Sequence, residues 1–363
     1  MLAWLGALGL GWDVGGSYGM LNWHAHEMLF GYMPAALAGF MLTAIPNWTG
    51  RLPVSGTPLL VLVLLWLAGR FCMAFPDVIG VWVAMVLDGL FLPVLALVAG
   101  IEIFAGRNWK NLKILAGLVA LFLANLHFHG SVLMTGSGVD AVRPAVSIYL
   151  MLIALVGGRI IPSFTRNWLV KAGAQRLPGP FDQVDRAALA VLLAALTVWS
   201  VAPEGWPTAL LAWLAALATG YRLSRWRGHA VLDEPLLLAL HLAFGFIPLG
   251  LAGVGCAAIG LISPPSALHM LVVGGLGGMT LAIMMRAGLG HTGRAPVANM
   301  MRSTALLALA LAAVIRPFAE ILPDAYHAIL GTAGALWCLA YGLFCIEFAP
   351  FFLGRRSVGR PAS

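Results

Sequence analysis

Long, uninterrupted runs of apolar residues alternate with short segments rich in Pro, Gly and charged residues along the chain. Each run is close to the roughly 20 residues that a helix needs to cross a bilayer. The runs lack the apolar–polar alternation over about ten residues that a membrane β-strand requires. Lipid offers no partner to backbone polar groups, so such runs must satisfy them internally, as helices do. The pattern therefore predicts an all-α fold, a polytopic transmembrane helix bundle.

Breaks at Pro, Gly and charged residues divide the chain into predicted spans. The eleven full spans lie near residues 24–45, 57–75, 78–104, 111–131, 143–161, 186–202, 205–222, 236–260, 266–286, 303–322 and 325–352. The apolar residues 1–11 are too short to cross, and we interpret them as the end of a truncated first helix. They lack the basic segment of a cleavable signal peptide. We expect one integral membrane domain over residues 1–363, with no soluble domain.

The composition agrees with a membrane environment. Hydrophobic residues make up 61% of the chain and charged residues only 10%, whereas soluble domains carry roughly a quarter of their residues as charged side chains. The four cysteines are scattered and form no CxxC or CxxCH motif. This argues against covalent haem attachment and against a thiolate zinc site, and favours their packing as small buried hydrophobes.

The basic residues fall on one side of the predicted topology. If the partial helix is numbered first, the loops after the even-numbered helices and the C-terminal tail hold 18 of the 21 Lys and Arg: Arg51, Arg107, Lys110, Lys113, Arg159, Arg166, Lys171, Arg176, Arg186, Arg222, Arg225, Arg227, Arg286, Arg294, Arg302, Arg355, Arg356 and Arg360. The opposite loops hold mainly acidic residues. Because cytoplasmic loops concentrate cations, we expect these loops and the C-terminus to be cytoplasmic. The net charge of +7 is then explained without a nucleic-acid partner.

Histidines gather at one predicted depth near the non-cytoplasmic face. Six of the nine lie there: His24, His26, His127, His129, His269 and His327. Imidazole is a common ligand of copper and of haem iron, so the pattern favours a metal or haem site. The simpler alternative is that each histidine meets interfacial water. Residues two apart on a helix point about 200° apart, so a His-x-His pair serves one site only if the helix end unwinds.

Other polar residues inside or beside the spans are also open to two interpretations. His241 is either functional or a neutral imidazole bonded to a neighbouring helix. Asp88 is either a proton relay or bonded to the backbone. The charges at outer helix ends either tie helices together or form a cationic rim for haem propionates or an anionic ligand; they are Glu27, Arg70, Arg143, Arg316 and Glu320.

Several motifs occur together and in order. They read WHAHEMLFG at residues 23–31, TAIPNWTGR at 43–51, GGRIIPSFT at 157–165, GMT at 278–280 after His269, and LGHTGR at 289–294. This combination resembles the NnrS family, bacterial membrane proteins associated with haem and copper and with the response to nitric oxide. The motifs cover residues 23 to 294, and the apolar pattern continues beyond them.

The resemblance implies a twelve-helix protein of the bacterial inner membrane that binds non-covalent haem b and copper and protects against nitrosative stress. The histidines it implies as cofactor-binding are His24, His26, His129, His241 and His269, with His24, His26, His129 and His269 as metal ligands. Its further motif residues here are Glu27, Asn125, Arg159, Arg286, His291 and Arg294. His127 and His327 lie outside the motifs. The arginines near inner helix ends are also explained by the helix dipole.

Two functions remain open at this point. In the first, a haem- and copper-binding membrane protein limits nitric oxide toxicity by sensing, binding or converting nitric oxide or iron-nitrosyl species, with or without catalytic turnover. In the second, a transporter or delivery protein without redox turnover moves copper, haem or an anion past His241 and Asp88. Helices broken near the midplane would favour the second, and the candidate breaks are Pro34, Pro93 and Pro248.

Overall fold

The computed structural model describes residues 1–354, and most of these are helical, with no strand among them. We number the main helices in chain order: α1 Leu2–Leu10, α2 Met20–Thr49, α3 Thr57–Ala74, α4 Val81–Ala105, α5 Trp109–Thr135, α6 Val139–Lys171, α7 Gln183–Val201, α8 Trp206–Ser224, α9 Pro235–Ala258, α10 Pro264–His291, α11 Met300–Phe318 and α12 Pro323–Leu353. The predicted all-α fold is confirmed.

Ten of these helices are long and apolar enough to cross a membrane, so the chain is a multi-pass membrane protein. They correspond to ten of the eleven predicted spans. The remaining prediction, residues 205–222, does form a helix, α8, but it is not among the ten. Its last turn carries Tyr221 and Arg222, which lower its apolar character. Three cations of the predicted cytoplasmic set, Arg355, Arg356 and Arg360, lie outside the described residues.

The chain folds as two compact units, Met1–Ile148 (unit 1) and Tyr149–Ser363 (unit 2), and α6 crosses the boundary. Each unit buries its own apolar residues and turns others outward. In unit 1, Leu60, Leu64 and Phe71 of α3 are exposed, and their spacing places them on one side of that helix. Such an apolar outer face is what contact with lipid requires.

Two helices of unit 1 depart from regular α-helix near a proline and beside polar residues. In α4, Pro93 has no N–H to donate to the carbonyl of Gly89, and the regular helix breaks there, between Val81–Gly89 and Phe91–Ala105. In α2, residues Glu27–Tyr32 form a π-helical segment, and Pro34 follows two residues after it. The wider π-helical turn rotates the residues on either side of it relative to a regular helix.

One predicted loop cation is a buried tie between helices of unit 2. Arg222, at the end of α8, is 0% exposed. Its guanidinium donates to Asp185 Oδ1 at 2.7 Å and to the carbonyl of Ala154 at 2.8 Å. A Cβ on Gly158 would collide with this guanidinium. The second glycine of the GGR motif therefore makes room for Arg222 to join α6, α7 and α8.

Candidate metal centre

Four buried polar side chains of unit 1 converge to form what we call the cage: His26 of α2, Asp88 of α4, and Asn125 and His129 of α5. Their exposed fractions are 0%, 3%, 1% and 0%. Asp88 Oδ2 lies 3.1 Å from His26 Nε2, 3.1 Å from His129 Nε2 and 2.8 Å from Asn125 Nδ2. One nitrogen from each histidine and one carboxylate oxygen lie within 4.8 Å of one another, close enough to hold a metal ion.

Local structure brings these side chains inward. His26 is the last residue before the π-helical segment of α2. Asp88 is next to the interruption of α4 that Pro93 causes. Asn125 and His129 are four residues apart on α5, so they share one helix face. Aromatic rings then enclose the imidazole of His26, with the centroids of Phe30 and Phe128 at 5.4 and 5.5 Å.

An arginine neutralises part of the acidic charge beside the cage. Arg70 of α3 pairs with Glu27 and with Asp88 Oδ1. Gly31, in the π-helical segment, gives the guanidinium this position, because a Cβ there would meet both Arg70 and Glu27. The outer-end charges Glu27 and Arg70 therefore do tie helices together. They also leave the Asp88, Glu27 and Arg70 set with one excess negative charge.

The second ring nitrogen of each cage histidine also faces an oxygen atom. His26 Nδ1 is 3.4 Å from Glu27 Oε1, and His129 Nδ1 is 2.6 Å from the hydroxyl of Tyr18. A carboxylate only accepts hydrogen bonds, so with no metal bound His129 Nε2 carries the proton toward Asp88. Its Nδ1 then accepts the hydroxyl proton of Tyr18. The Tyr18 contact thus fixes the orientation of the His129 ring.

Tyr18 is held over the cage by a glycine-rich turn. Gly15, Gly16 and Gly19 all have positive φ, which glycine adopts without steric cost. The turn is fastened when the backbone N–H of Ser17 donates to the carboxylate of Asp77 at 3.0 to 3.1 Å. Tyr18 itself is only 2% exposed.

The other predicted histidines of unit 1 lie outside the cage. His24 stacks on Trp4 with ring centroids 4.2 Å apart, and His127 is exposed. The helix is regular at His24 and His26. Residues two apart on a regular helix point about 200° apart, so the two side chains point in different directions. His26 and His129 are the members of the two His-x-His pairs that the fold brings together.

Two predicted histidines of unit 2 have contrasting environments. His241 is buried, and its Nε2 is 2.9 Å from Thr165 Oγ1. Because Thr165 donates to the carbonyl of Ile161, Nε2 carries the proton, and within the described chain no partner reaches Nδ1. His269 is half-buried. Its Nδ1 donates to the carbonyl of Pro265 at 2.7 Å, which leaves the lone pair on Nε2.

Of the remaining motif residues of unit 2, Arg159 lies inside α6, whereas Arg286, His291 and Arg294 lie at or near the end of α10. Arg286 pairs with Glu234 at 3.3 Å and lies over the ring of Phe164. Arg294 lies over the ring of Phe351, 3.8 Å from its centroid. Arg159 and His291 are exposed. The arginine contacts agree with a structural role, and the functional role that the resemblance implies for these residues stays a prediction.

The sequence did not group three residues of this site, Asp88, Arg70 and Tyr18, with the cage histidines. Asp88 and Arg70 carried a sequence signal, since an ionisable residue within a span invites a functional hypothesis, but nothing in the sequence paired them with His26. Tyr18 carried no signal, because a tyrosine next to glycines is common in loops. Their grouping depends on helix packing between residues far apart in sequence.

The comparisons with known proteins agree with the motifs. A family model described as "NnrS protein" matches residues 1–356, nearly the whole chain. No curated protein and no solved structure matches it. A match of this length shows the family, and the chain belongs to the NnrS family.

Proposed function

We propose that this protein binds copper and haem b and acts in the bacterial response to nitric oxide, as a multi-pass protein of the inner membrane. The observation that carries the proposal is the buried cage of two histidines and an aspartate in a member of the NnrS family. Bound copper and haem iron would supply redox-active centres that take up nitric oxide or iron-nitrosyl species.

The cage fits a copper ion by its donor set. Imidazole nitrogen suits copper, and a carboxylate oxygen can complete such a site. The excess negative charge of Asp88 and Glu27 over Arg70 favours a cation in a buried place where an unpaired charge is costly. The three donor atoms already converge, so a bare ion needs little rearrangement.

The outer contacts of the histidines also fit metal binding. Metal-ligating histidines usually donate their other ring N–H to a carboxylate or another oxygen acceptor. Here the Nε2 atoms of His26 and His129 face inward, while their Nδ1 atoms face Glu27 and Tyr18. With Nε2 committed to the ion, each Nδ1 would carry the proton and find an acceptor in place.

The first test is copper content of the full-length protein, purified in detergent from copper-supplemented cells, by elemental analysis. We expect His26→Ala and His129→Ala to lower copper per polypeptide by about tenfold or more. His127→Ala is the matched control, because this exposed histidine is two residues from His129 on the same helix. Equal copper in all four proteins, or none in the unsubstituted protein, would overturn the cage assignment.

The second test addresses haem and nitric oxide. The oxidised and dithionite-reduced absorption spectra of haem-replete protein should show a Soret band with sharp reduced bands, and nitric oxide should shift them. The proposed axial ligands are drawn from His24, His26, His129, His241 and His269. A featureless spectrum from folded protein would remove haem from the proposal, and bands that do not respond to nitric oxide would remove the proposed ligand.

A further inference from the structure

Positions in α2, and a short segment at its C-terminal end, recur in and after α10 at one constant offset. His26 and His269 are 243 residues apart (269 minus 26), and the same offset relates Gly31 to Gly274. It also relates residues 49–54, which read TGRLPV, to residues 292–297, which read TGRAPV. Five identities in six positions at an unchanged offset from the histidine indicate an internal repeat.

The structure repeats at the same offset. A π-helical segment begins at Glu27 in α2 and at Met270 in α10, in each case directly after the histidine. The hydroxyl of Thr49 donates to the carbonyl of Ile45, and that of Thr292 donates to the carbonyl of Gly288. Each repeated segment then ends on a left-handed glycine, Gly50 with φ 71° and Gly293 with φ 72°.

The correspondence extends over two further helices. The offset carries the start of α3 at Thr57 onto the start of α11 at Met300, and the start of α4 at Val81 onto the second residue of α12. The acidic residue after α3, Asp77, accepts from Ser17 before α2. Its counterpart after α11, Glu320, accepts from Ser266 at the start of α10. Units 1 and 2 thus each contain one copy of a three-helix element.

The charged partners of His26 are not repeated around His269. The counterparts of Glu27, Arg70 and Asp88 are Met270, Ala313 and Gly331. Gly331 has no side chain, and a Cβ added there would meet no atom within 4 Å, so this position supplies nothing equivalent to the Asp88 carboxylate. His269 therefore occupies the repeated position without the ion pairs and carboxylate of the cage.

The imidazole of His269 is oriented like that of a metal ligand. The N–H of Nδ1 is fixed by the carbonyl of Pro265, the contact that commonly orients a ligating imidazole. The lone pair of Nε2 is left available, and among the described residues no hydrogen bond reaches it. The nearby charges, Arg316 and Glu320, pair with each other at 3.1 Å.

Ligand number then decides between a bare ion and haem. A bare copper ion needs several protein donors, and within the described residues the cage is the one group of three metal-binding side chains. Haem iron already has the four porphyrin nitrogens as ligands, so one or two protein side chains are enough, and an imidazole can be such a ligand. Haem also needs space beside the imidazole that binds it. His26 is enclosed by aromatic rings and leaves little such space, whereas His269 is only half-buried.

We propose that the two copies of the repeat hold different cofactors: the His26 copy belongs to the closed copper cage, and the His269 copy supplies an axial imidazole to haem. This assignment rests on the proposed function, since it divides the two cofactors proposed there between two positions. Of the five histidines proposed as possible haem ligands, the assignment requires His269.

The test measures both cofactors in the same preparations, copper by elemental analysis and haem by extraction and absorbance. We expect His269→Ala to lose haem by about tenfold or more and to keep its copper, and His26→Ala to do the reverse. His327→Ala, an exposed histidine of unit 2, should keep both. Two results would overturn the assignment of copper to the His26 copy and haem to the His269 copy. One is a full haem content in His269→Ala, and the other is a His26→Ala protein that loses its haem but keeps its copper.

A second variant separates ligation from folding. His269→Gly leaves a space that free imidazole can fill. Adding imidazole and haem to this variant should therefore restore a Soret band that elutes with the protein, whereas His327→Gly should need no added imidazole. No restoration in a variant that keeps its copper and its elution volume would contradict axial ligation. A wild-type protein without haem or copper would instead contradict the proposed function, so the two failures are distinguishable.

Discussion

Asp88 is the residue on which the cage depends, because its carboxylate accepts from His26, Asn125 and His129 and pairs with Arg70. Asp88→Asn keeps the size of the side chain and removes its charge. Breaking a buried ion pair by removing one partner costs about 3–5 kcal/mol, so we expect a lower Tm in detergent together with loss of copper. Asp140→Asn, at a carboxylate that is 79% exposed, is the control. An unchanged Tm and full copper in Asp88→Asn would show that the carboxylate is dispensable.

Tyr18 should act on copper affinity through His129 without touching the ion. Tyr18→Phe removes the oxygen 2.6 Å from His129 Nδ1 and leaves the ring in place. Loss of such an outer contact commonly weakens metal binding by about 10- to 100-fold. Competition with a copper chelator measures the effect, and Tyr221→Phe, at an exposed tyrosine, should leave affinity unchanged. A Tyr18→Phe protein with wild-type affinity would remove this role.

Gly31 has no room for a side chain, because the charged groups of Arg70 and Glu27 lie against it. In Gly31→Ala the new methyl group would meet Arg70 and Glu27, and overpacking of this kind costs about 1–3 kcal/mol. We expect a lower Tm and reduced copper. Gly39→Ala lies on the same helix in open space and should be neutral or slightly stabilising, because alanine favours helix. If the two variants behave alike, the close approach of Arg70 to Gly31 is not important for stability.

How far the sequence predicts this site depends on the kind of residue. His26, His129 and Asn125 came from spacing and motif, and the structure places them together. Asp88 and Arg70 were recognisable singly as buried ionisable residues. Their pairing was not, because 62 residues separate His26 from Asp88 and the rotation of each helix is decided by packing. The π-helical segment of α2 adds a local rotation that a regular 3.6-residue pattern does not contain.

At the level of elements, apolar length predicted where helices lie better than where they end. The span predicted at residues 143–161 is the helix Val139–Lys171, because its last turns are polar but still hydrogen-bonded as helix. The helix predicted at 24–45 runs from Met20 to Thr49 and stops at Gly50. Termination by a left-handed glycine is a local signal, so it is readable from sequence, whereas continuation through polar residues is not.

The repeated helix end makes a prediction about Gly50. Its φ of 71° is left-handed, and a Cβ there would meet no neighbouring atom, so conformation alone should decide the effect of substitution. Gly50→Ala should be destabilising by about 1–2 kcal/mol, the cost of a left-handed L-residue. Gly50→Asn should lose less, since asparagine tolerates this region. Equal Tm values for the two variants would argue against the left-handed end.

At the scale of the whole molecule, the uneven distribution of charge predicts the orientation in the membrane. Most Lys and Arg fall in the loops after α2, α4, α6, α8 and α10, in the helix ends next to these loops, or in the C-terminal tail. Segments rich in cations are retained in the cytoplasm. We therefore expect the C-terminus to be cytoplasmic. The loop between α5 and α6, residues 136–138, contains no cation, and Asp140 follows at the start of α6. We expect this loop to lie on the opposite side.

Reporter fusions in bacteria measure this orientation directly. Green fluorescent protein fused to the C-terminus should fluoresce, because it folds in the cytoplasm, and alkaline phosphatase fused there should be inactive. A phosphatase fusion after Gly138, between α5 and α6, should be active. The opposite pattern at both positions would invert the topology. Activity of the same reporter at both positions would instead mean that the number of crossings between them is even, and one helix from α6 to α12 would not span the membrane. The helix to examine first would then be α8, which is less apolar than its neighbours.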